Sequence, residues 1–221
     1  MEQRLSTLLF DLDGLMIDSE RIGHDSWRKA GIELGVPITE TLLDGLVGLS
    51  HSRTEAFATS VLGDAELAKA LRLASSRYYW RTLEEEEIPL KTGIGPLLEW
   101  VAANNIPRAV ATSTQRTLAD LKLKRSGLQQ YFSVTVAGDE VTHTKPAPDL
   151  YLAAAAKLGV APESCIVLED SLYGLQAGRA AGMQVILVPD LAKPEDSHVS
   201  EALAVCEDLH QALEVLKPLF S

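Results

Sequence analysis

Cysteine is scarce in this chain. Cys165 and Cys206 are the only two in 221 residues, and they fall into no metal or redox spacing. Cys165 lies in "ESCIVLED", which reads as a buried strand, so a small core thiol is its expected role. Clustered basic residues are lacking too. The net charge is −11 and no stripe of Lys and Arg runs along the sequence, which argues against a nucleic-acid partner, because binding a phosphate backbone relies on such clusters. An anionic substrate stays within reach, provided a metal and a few cations dominate locally. Long apolar runs are also missing. None reaches the roughly 18 residues of a membrane span, and the N-terminus enters its first strand without the h-region and cleavage site of a leader. No membrane partner is expected, and the protein is expected to be reduced and cytoplasmic. Aromatic residues make up only 5% beside an apolar share of 46%, an ordinary balance for a soluble α/β protein and one that speaks against disorder.

Strand signals are absent over one long stretch. From about Glu20 to Glu87 the segments "IGHDSWRKAGIELG", "ETLLDGLVG", "RTEAFATSVLG" and "AELAKALRLASSRYYWRTLEEEE" show helical periodicity, separated by Gly, Pro or Ser. The acids Glu84 to Glu87 read as a solvated helix end, and "EEIPLKTGIGP" reads as the linker that brings the chain back. On either side the pattern differs. "LSTLLF", "RAVAT", "SVTVA", "CIVLED", "QVILV" and a late "EALAV" read as short strands, the third of them the weakest, and helical segments lie between. Such alternation predicts βα crossovers and parallel pairing. The expected fold is α/β: a Rossmann-like parallel sheet with helices on both faces, formed by residues 1–19 and 88–221, and an all-α helical cap, residues 20–87, inserted after the first strand.

In such a sheet ligands bind beyond the carboxyl ends of the strands. Asp11 and Asp13 follow the first strand, Thr112 and Ser113 follow "RAVA", Lys145 opens "TKPAPD", and Glu169 and Asp170 end "CIVL". All fall on one rim. Asp11 and Asp13 would share a face if the strand stayed extended through both, and two carboxylates so close raise each other's pKa unless a cation or a proton-carrying role compensates.

"DLDG", "ATS", "TKPAPDLY" and "LEDSLYG", in this order, resemble the four motifs of the haloacid dehalogenase-like superfamily, and more narrowly its phosphatase and β-phosphoglucomutase-like branch. The resemblance implies that Asp11 is a nucleophile that captures phosphorus as an aspartyl-phosphate. It implies that Asp13 gives a proton to the leaving oxygen and later takes one from water. Magnesium would be held by the Asp11 side chain, the Asp13 backbone carbonyl and the Asp170 side chain, with Glu169 either a direct ligand or an acceptor behind the ligands. Lys145 would neutralise a phosphoryl oxygen, and Thr112 and the Ser113 amide would donate to it.

The resemblance also makes the cap the place where substrate is chosen, with Arg53 and His51 in "GLVGLSHSRTEA" as candidates to hold a substrate oxygen or a second phosphate. "RYYWR", residues 77–81, reads as helix packing. Two departures concern the mutase. Gly23 stands where β-phosphoglucomutase carries a cap histidine, with His24 one residue late, and His51 matches its cap-loop arginine. The expected activity is therefore a magnesium-dependent phosphatase acting on a small phosphorylated metabolite, with a phosphosugar mutase as the alternative. A dehalogenase has no need of Asp13. Oligomeric state is not legible.

Overall fold

The structure, a computed structural model, describes residues 5–46, 51–190 and 200–220. The chain divides into two compact units, one of Met1–Asp18 with Pro89–Ser221 and one of Ser19–Ile88. The first unit is built on strands β1 (Thr7–Phe10), β2 (Arg108–Ala111), β3 (Thr135–Val136), β4 (Cys165–Glu169), β5 (Gln184–Leu187) and β6 (Ala204–Val205). They form one sheet in the order β3-β2-β1-β4-β5-β6, and every pairing is parallel. β1 and β4 are buried at every residue, as the uninterrupted apolar runs of central parallel strands require. Among the described residues β3 pairs at two positions and only with β2, so "SVTVA" contributes less strand than its pattern suggests. It lies at the sheet edge, with one neighbour to hold it.

Order in the sheet runs outward from β1 through β2 to β3 on one side and from β4 to β6 on the other. Because parallel crossovers are right-handed, this reversal sends the connecting helices to opposite faces. Those helices, numbered after the four of the other unit, are α5 (Ile94–Ala103), α6 (Arg116–Arg125), α7 (Asp149–Leu158) and α8 (Leu172–Ala180), while α9 (Leu209–Leu216) follows the last strand. α7 packs its small residues Ala154 and Ala155 with Leu150 and Tyr151 into a core shared with Leu9, Ala109, Val167 and Val185 of the strands.

Among its described residues the second unit forms helices and no strand: α1 (Ser19–Leu34), α2 (Glu40–Leu46), α3 (His51–Leu62) and α4 (Ala65–Glu85). It has its own core, in which Trp27, Ala30, Leu42, Leu43, Ala58, Leu71 and Ala74 pack together, with Tyr78 against them. Asp64 caps α4 by accepting from the Leu67 amide at 3.0 Å, a contact of about 1 kcal/mol. Glu84 to Glu87 are exposed. Among the described residues no helix is long and apolar enough to cross a membrane.

The first unit closes around the point where the helical unit leaves and returns. The Asp18 amide donates to the Pro89 carbonyl at 2.8 Å and the Lys91 amide to the Met16 carbonyl at 3.0 Å, with Ile17 and Leu90 bridged antiparallel between them.

Candidate active site

The reversal of strand order falls between β1 and β4, the position where open α/β sheets form a crevice. Phe10 and Leu168 are in register, and the Asp11 amide donates to the Leu168 carbonyl at 3.1 Å. Asp11 and Glu169 therefore leave the sheet side by side. Asp11 is 6% exposed and Glu169 is fully buried, and two buried carboxylates need a cation. Lys145 supplies it from the loop before α7. Its ammonium donates to Asp11 Oδ1 and to Glu169 Oε1 at 2.5 Å, and it stands 5.0 Å from the centre of the Tyr151 ring.

Both oxygens of Glu169 are held. The Tyr151 hydroxyl joins Lys145 on Oε1, while Oε2 accepts from the Asp170 and Ser171 amides and the Ser171 hydroxyl. Ser171 is also the N-cap of α8, accepting from the Gly174 amide at 3.1 Å. That leaves both acids of "EDS" free of the capping task. Gly174 is required here, since a Cβ would lie 1.7 Å from the Glu169 carboxyl carbon. The Lys145 ammonium and these donors hold the Glu169 carboxyl below its ordinary range, against the effect of burial. Burial pushes the Asp11 carboxyl up to about 7; the Lys145 ammonium opposes this, and the charges of Glu169 and Asp13 add to it. Burial beside Glu169 likewise drives the Tyr151 phenol well up, so it stays a donor.

Asp170 completes the cluster. One oxygen from each of Asp11, Glu169 and Asp170 lies within 4.8 Å of the others. Gly14 makes room for it: the chain turns there at φ +79°, and a Cβ would lie 2.1 Å from Asp170 Oδ2. Only glycine meets both demands. An all-oxygen, carboxylate-rich donor set with an underpaired buried acid suits a hard divalent cation.

Among the described residues no hydrogen-bond donor is shared by Asp11 and Asp13. β1 ends at Phe10, before either acid. Asp13 instead accepts from the Lys122 ammonium at 2.5 Å and from the Thr114 hydroxyl at 2.6 Å. Each carboxylate thus has its own lysine. Thr112, 2% exposed, is fixed at the end of β2 by donating its amide to Val136, and its hydroxyl oxygen accepts from the Thr114 amide at 3.1 Å. Ser113 is exposed. Among the described residues no hydrogen bond links Thr112 or Ser113 to Asp11 or Lys145; Thr112 connects to Asp13 through Thr114. Arg53 lies exposed in the first turn of α3, in the helical unit. The His51 side chain lies outside the described residues.

Tyr151, Thr114 and Lys122 were not foreseen as site residues. Tyr151 follows Lys145 in "TKPAPDLY" and looks like packing. Thr114 is one residue beyond the two threonine and serine candidates. Lys122 has a readable signal: Ala119, Lys122 and Leu123 are the buried residues of α6, a spacing that puts a lysine among core positions.

Residues 8–188 match the family model for haloacid dehalogenase-like hydrolases. The chain belongs to that family. It is 34% identical over 191 residues to the fructose-1-phosphate phosphatase YqaB of Escherichia coli, covering 84% of this chain and 97% of that protein. To the phosphorylated carbohydrates phosphatase of Thermotoga maritima it is 32% identical over 190 residues, covering 82% and 84%. Among solved structures it resembles a putative β-phosphoglucomutase from Thermotoga maritima, with a TM-score of 0.79, 29% identity, and coverage of 96% of this chain and 99% of that one.

Proposed function

We propose that this hydrolase is a magnesium-dependent phosphatase that transfers the phosphoryl group of a small phosphomonoester, a phosphosugar or related metabolite, to Asp11 and then to water. The chain is a phosphoric monoester hydrolase by its family and by the phosphatases among its relatives. The proposal adds the metal, the covalent intermediate and the substrate class. The observation that carries it is the convergence of the Lys145 ammonium on Asp11 and Glu169 beside Asp170.

A carboxylate oxygen of Asp11 attacks phosphorus, and the bond from phosphorus to the sugar oxygen breaks. Asp13 gives its proton to that oxygen as it leaves. Water then attacks the aspartyl-phosphate and yields a proton to Asp13; inorganic phosphate departs and the Asp11 carboxylate is restored. Asp11, the Asp13 carbonyl and Asp170 would hold the magnesium ion. Its chemistry is to neutralise phosphoryl oxygens and to keep Asp11 ionised despite burial. Glu169, its oxygens already accepting from Lys145, Tyr151 and the Ser171 turn, serves behind the ligands by fixing Lys145. Lys145 meets a phosphoryl oxygen as a point charge, and Thr112 and the Ser113 amide donate to the others. Residues 20–87 are read as the cap, with Arg53 and His51 as its candidates for choosing the substrate. A cytoplasmic location is part of this reading and rests on cysteine usage.

A panel of phosphomonoesters assayed with magnesium tests it. Free phosphate as the main product supports the proposal. An isomeric sugar phosphate with little free phosphate identifies a mutase instead, and no turnover of any ester overturns both.

A further inference from the structure

α6 has no structural need of a charge on its inner face. Ala119 and Leu123 bury there as a helix packed on a sheet requires, but Lys122 between them is only 3% exposed. Burying an ammonium is costly before any pairing offsets it, and a leucine or methionine would fill the position without that cost. The lysine reaches a carboxylate 109 residues away in sequence, donating to Asp13 Oδ1. Thr114 holds the other oxygen, Oδ2. Thr114 is itself fixed, its amide on Thr112 Oγ1 and its carbonyl accepting from the Gly138 amide at 2.8 Å. Gly138 must be a glycine for that approach, because a Cβ would lie 2.2 Å from the Ser113 carbonyl oxygen.

A carboxylate gripped at both oxygens cannot rotate about its last bond. The Asp13 side chain remains 24% exposed, so it is held at the mouth of the crevice and is not sealed inside it. A protonated carboxyl keeps acceptor capacity on its oxygens beside its one O–H, so the two donors leave a position from which that O–H can reach the leaving oxygen.

We propose that Lys122, together with Thr114, is a positioning residue for the reaction: the two donors fix the plane of the Asp13 carboxyl group so that it faces the leaving oxygen rather than turning toward the Lys145–Asp11 pair. This rests on the reading of Asp13 as the group that protonates the leaving oxygen. The role is one of orientation, and misplacing a proton donor by a fraction of its reach costs rate only where a proton is needed.

That condition supplies the test. Glycerol 2-phosphate, phenyl phosphate and 4-nitrophenyl phosphate form a series in which the leaving oxygen needs a proton progressively less. kcat/KM reports the first phosphoryl transfer for each. In Lys122→Met it should fall about tenfold or more for glycerol 2-phosphate and less than about threefold for 4-nitrophenyl phosphate, with phenyl phosphate between. Thr114→Val should give the same ranking with smaller losses, and it decides the matter alone if Lys122→Met does not fold. Asp13→Asn is the reference and should show the steepest ranking, which Lys122→Met added to it should not steepen further. Equal losses on all three esters in the Lys122 and Thr114 variants, with the ranking intact in Asp13→Asn, overturn the positioning role and leave the proposed function standing. A flat response in Asp13→Asn itself overturns the acid role of Asp13, and the inference with it.

Discussion

Two groups of ion pairs in the molecule stand in contrast. At the strand ends of the sheet, Lys145 and Lys122 are 6% and 4% exposed as side chains, and each is bound to carboxylates. In the helical unit, Arg28 pairs with Asp25 and Glu40 and Arg77 with Glu33, with side chains 38% to 71% exposed. Both populations satisfy the same geometry, but their energetics are opposite in kind. An exposed pair is worth about 0 to 1 kcal/mol and disappears into the salt. A buried pair costs so much desolvation that apolar residues would often serve stability as well or better, yet breaking one leaves a bare buried charge. Charges kept at the rim under those terms point to chemistry, and charges on the helical unit point to solubility.

Removing the proposed nucleophile probes this contrast most severely. Asp11→Asn keeps the shape and removes the attacking charge, so steady-state phosphate release should fall by several orders of magnitude while circular dichroism stays native. Retained activity would remove Asp11 from the reaction. A chelator should come next: phosphate release should be abolished and then restored by added magnesium, and full turnover after rigorous metal removal would exclude the ion.

Lys145→Met carries the comparison into stability. It leaves Asp11 and Glu169 buried without their cation, and urea unfolding at neutral pH should show a loss of about 3 kcal/mol or more. Glu169 sets the acid side of the same measurement in the unaltered protein. Its pKa is depressed on folding, so its contribution is present above the ordinary carboxylate range and is lost as pH falls through the lower, folded value. A buried group that stays neutral gives the next smaller effect. Burial pushes the Cys165 thiol from 9.0 to about 11, so the unfolded chain releases that proton first. Stability should therefore fall between roughly pH 9 and 11 by no more than about 3 kcal/mol, and Cys165→Ala should flatten that limb in reducing buffer. Arg77→Ala should change stability by less than about 1 kcal/mol, and by still less in high salt. A loss there as large as that of Lys145→Met would erase the distinction between the two populations.

The sheet was legible because each central strand is an unbroken apolar run that stops at a polar residue, as "TLLF" stops at Asp11 and "CIVL" at Glu169. The rim residues followed from those stops, since parallel strands all end on one side. What escaped was set by turns and helix phase. Asp11 and Asp13 do act on each other, the Asp13 charge adding to the rise of the Asp11 carboxyl, but each also accepts from a lysine distant in sequence, Lys145 for Asp11 and Lys122 for Asp13, and the strand pattern shows neither pairing. Lys122 stands among Lys124 and Arg125 and reads as part of a solvated face until the buried phase of α6 is fixed by Ala119 and Leu123. Glu169 could be read as a ligand or as an acceptor, because the donors that occupy it come from Lys145, Tyr151 and a serine turn that only the fold assembles.

The hydrogen bonds joining Asp18 to Pro89 and Met16 to Lys91 have a consequence for how such a protein can vary. The backbone of the sheet unit already brings the two crossing points together, so residues 19–88 are spliced in at a junction that is closed on its own account. Closure entropy grows only slowly with loop length. Helices can be lengthened, exchanged or rewritten in that insert without asking the strand ends and their carboxylates to move.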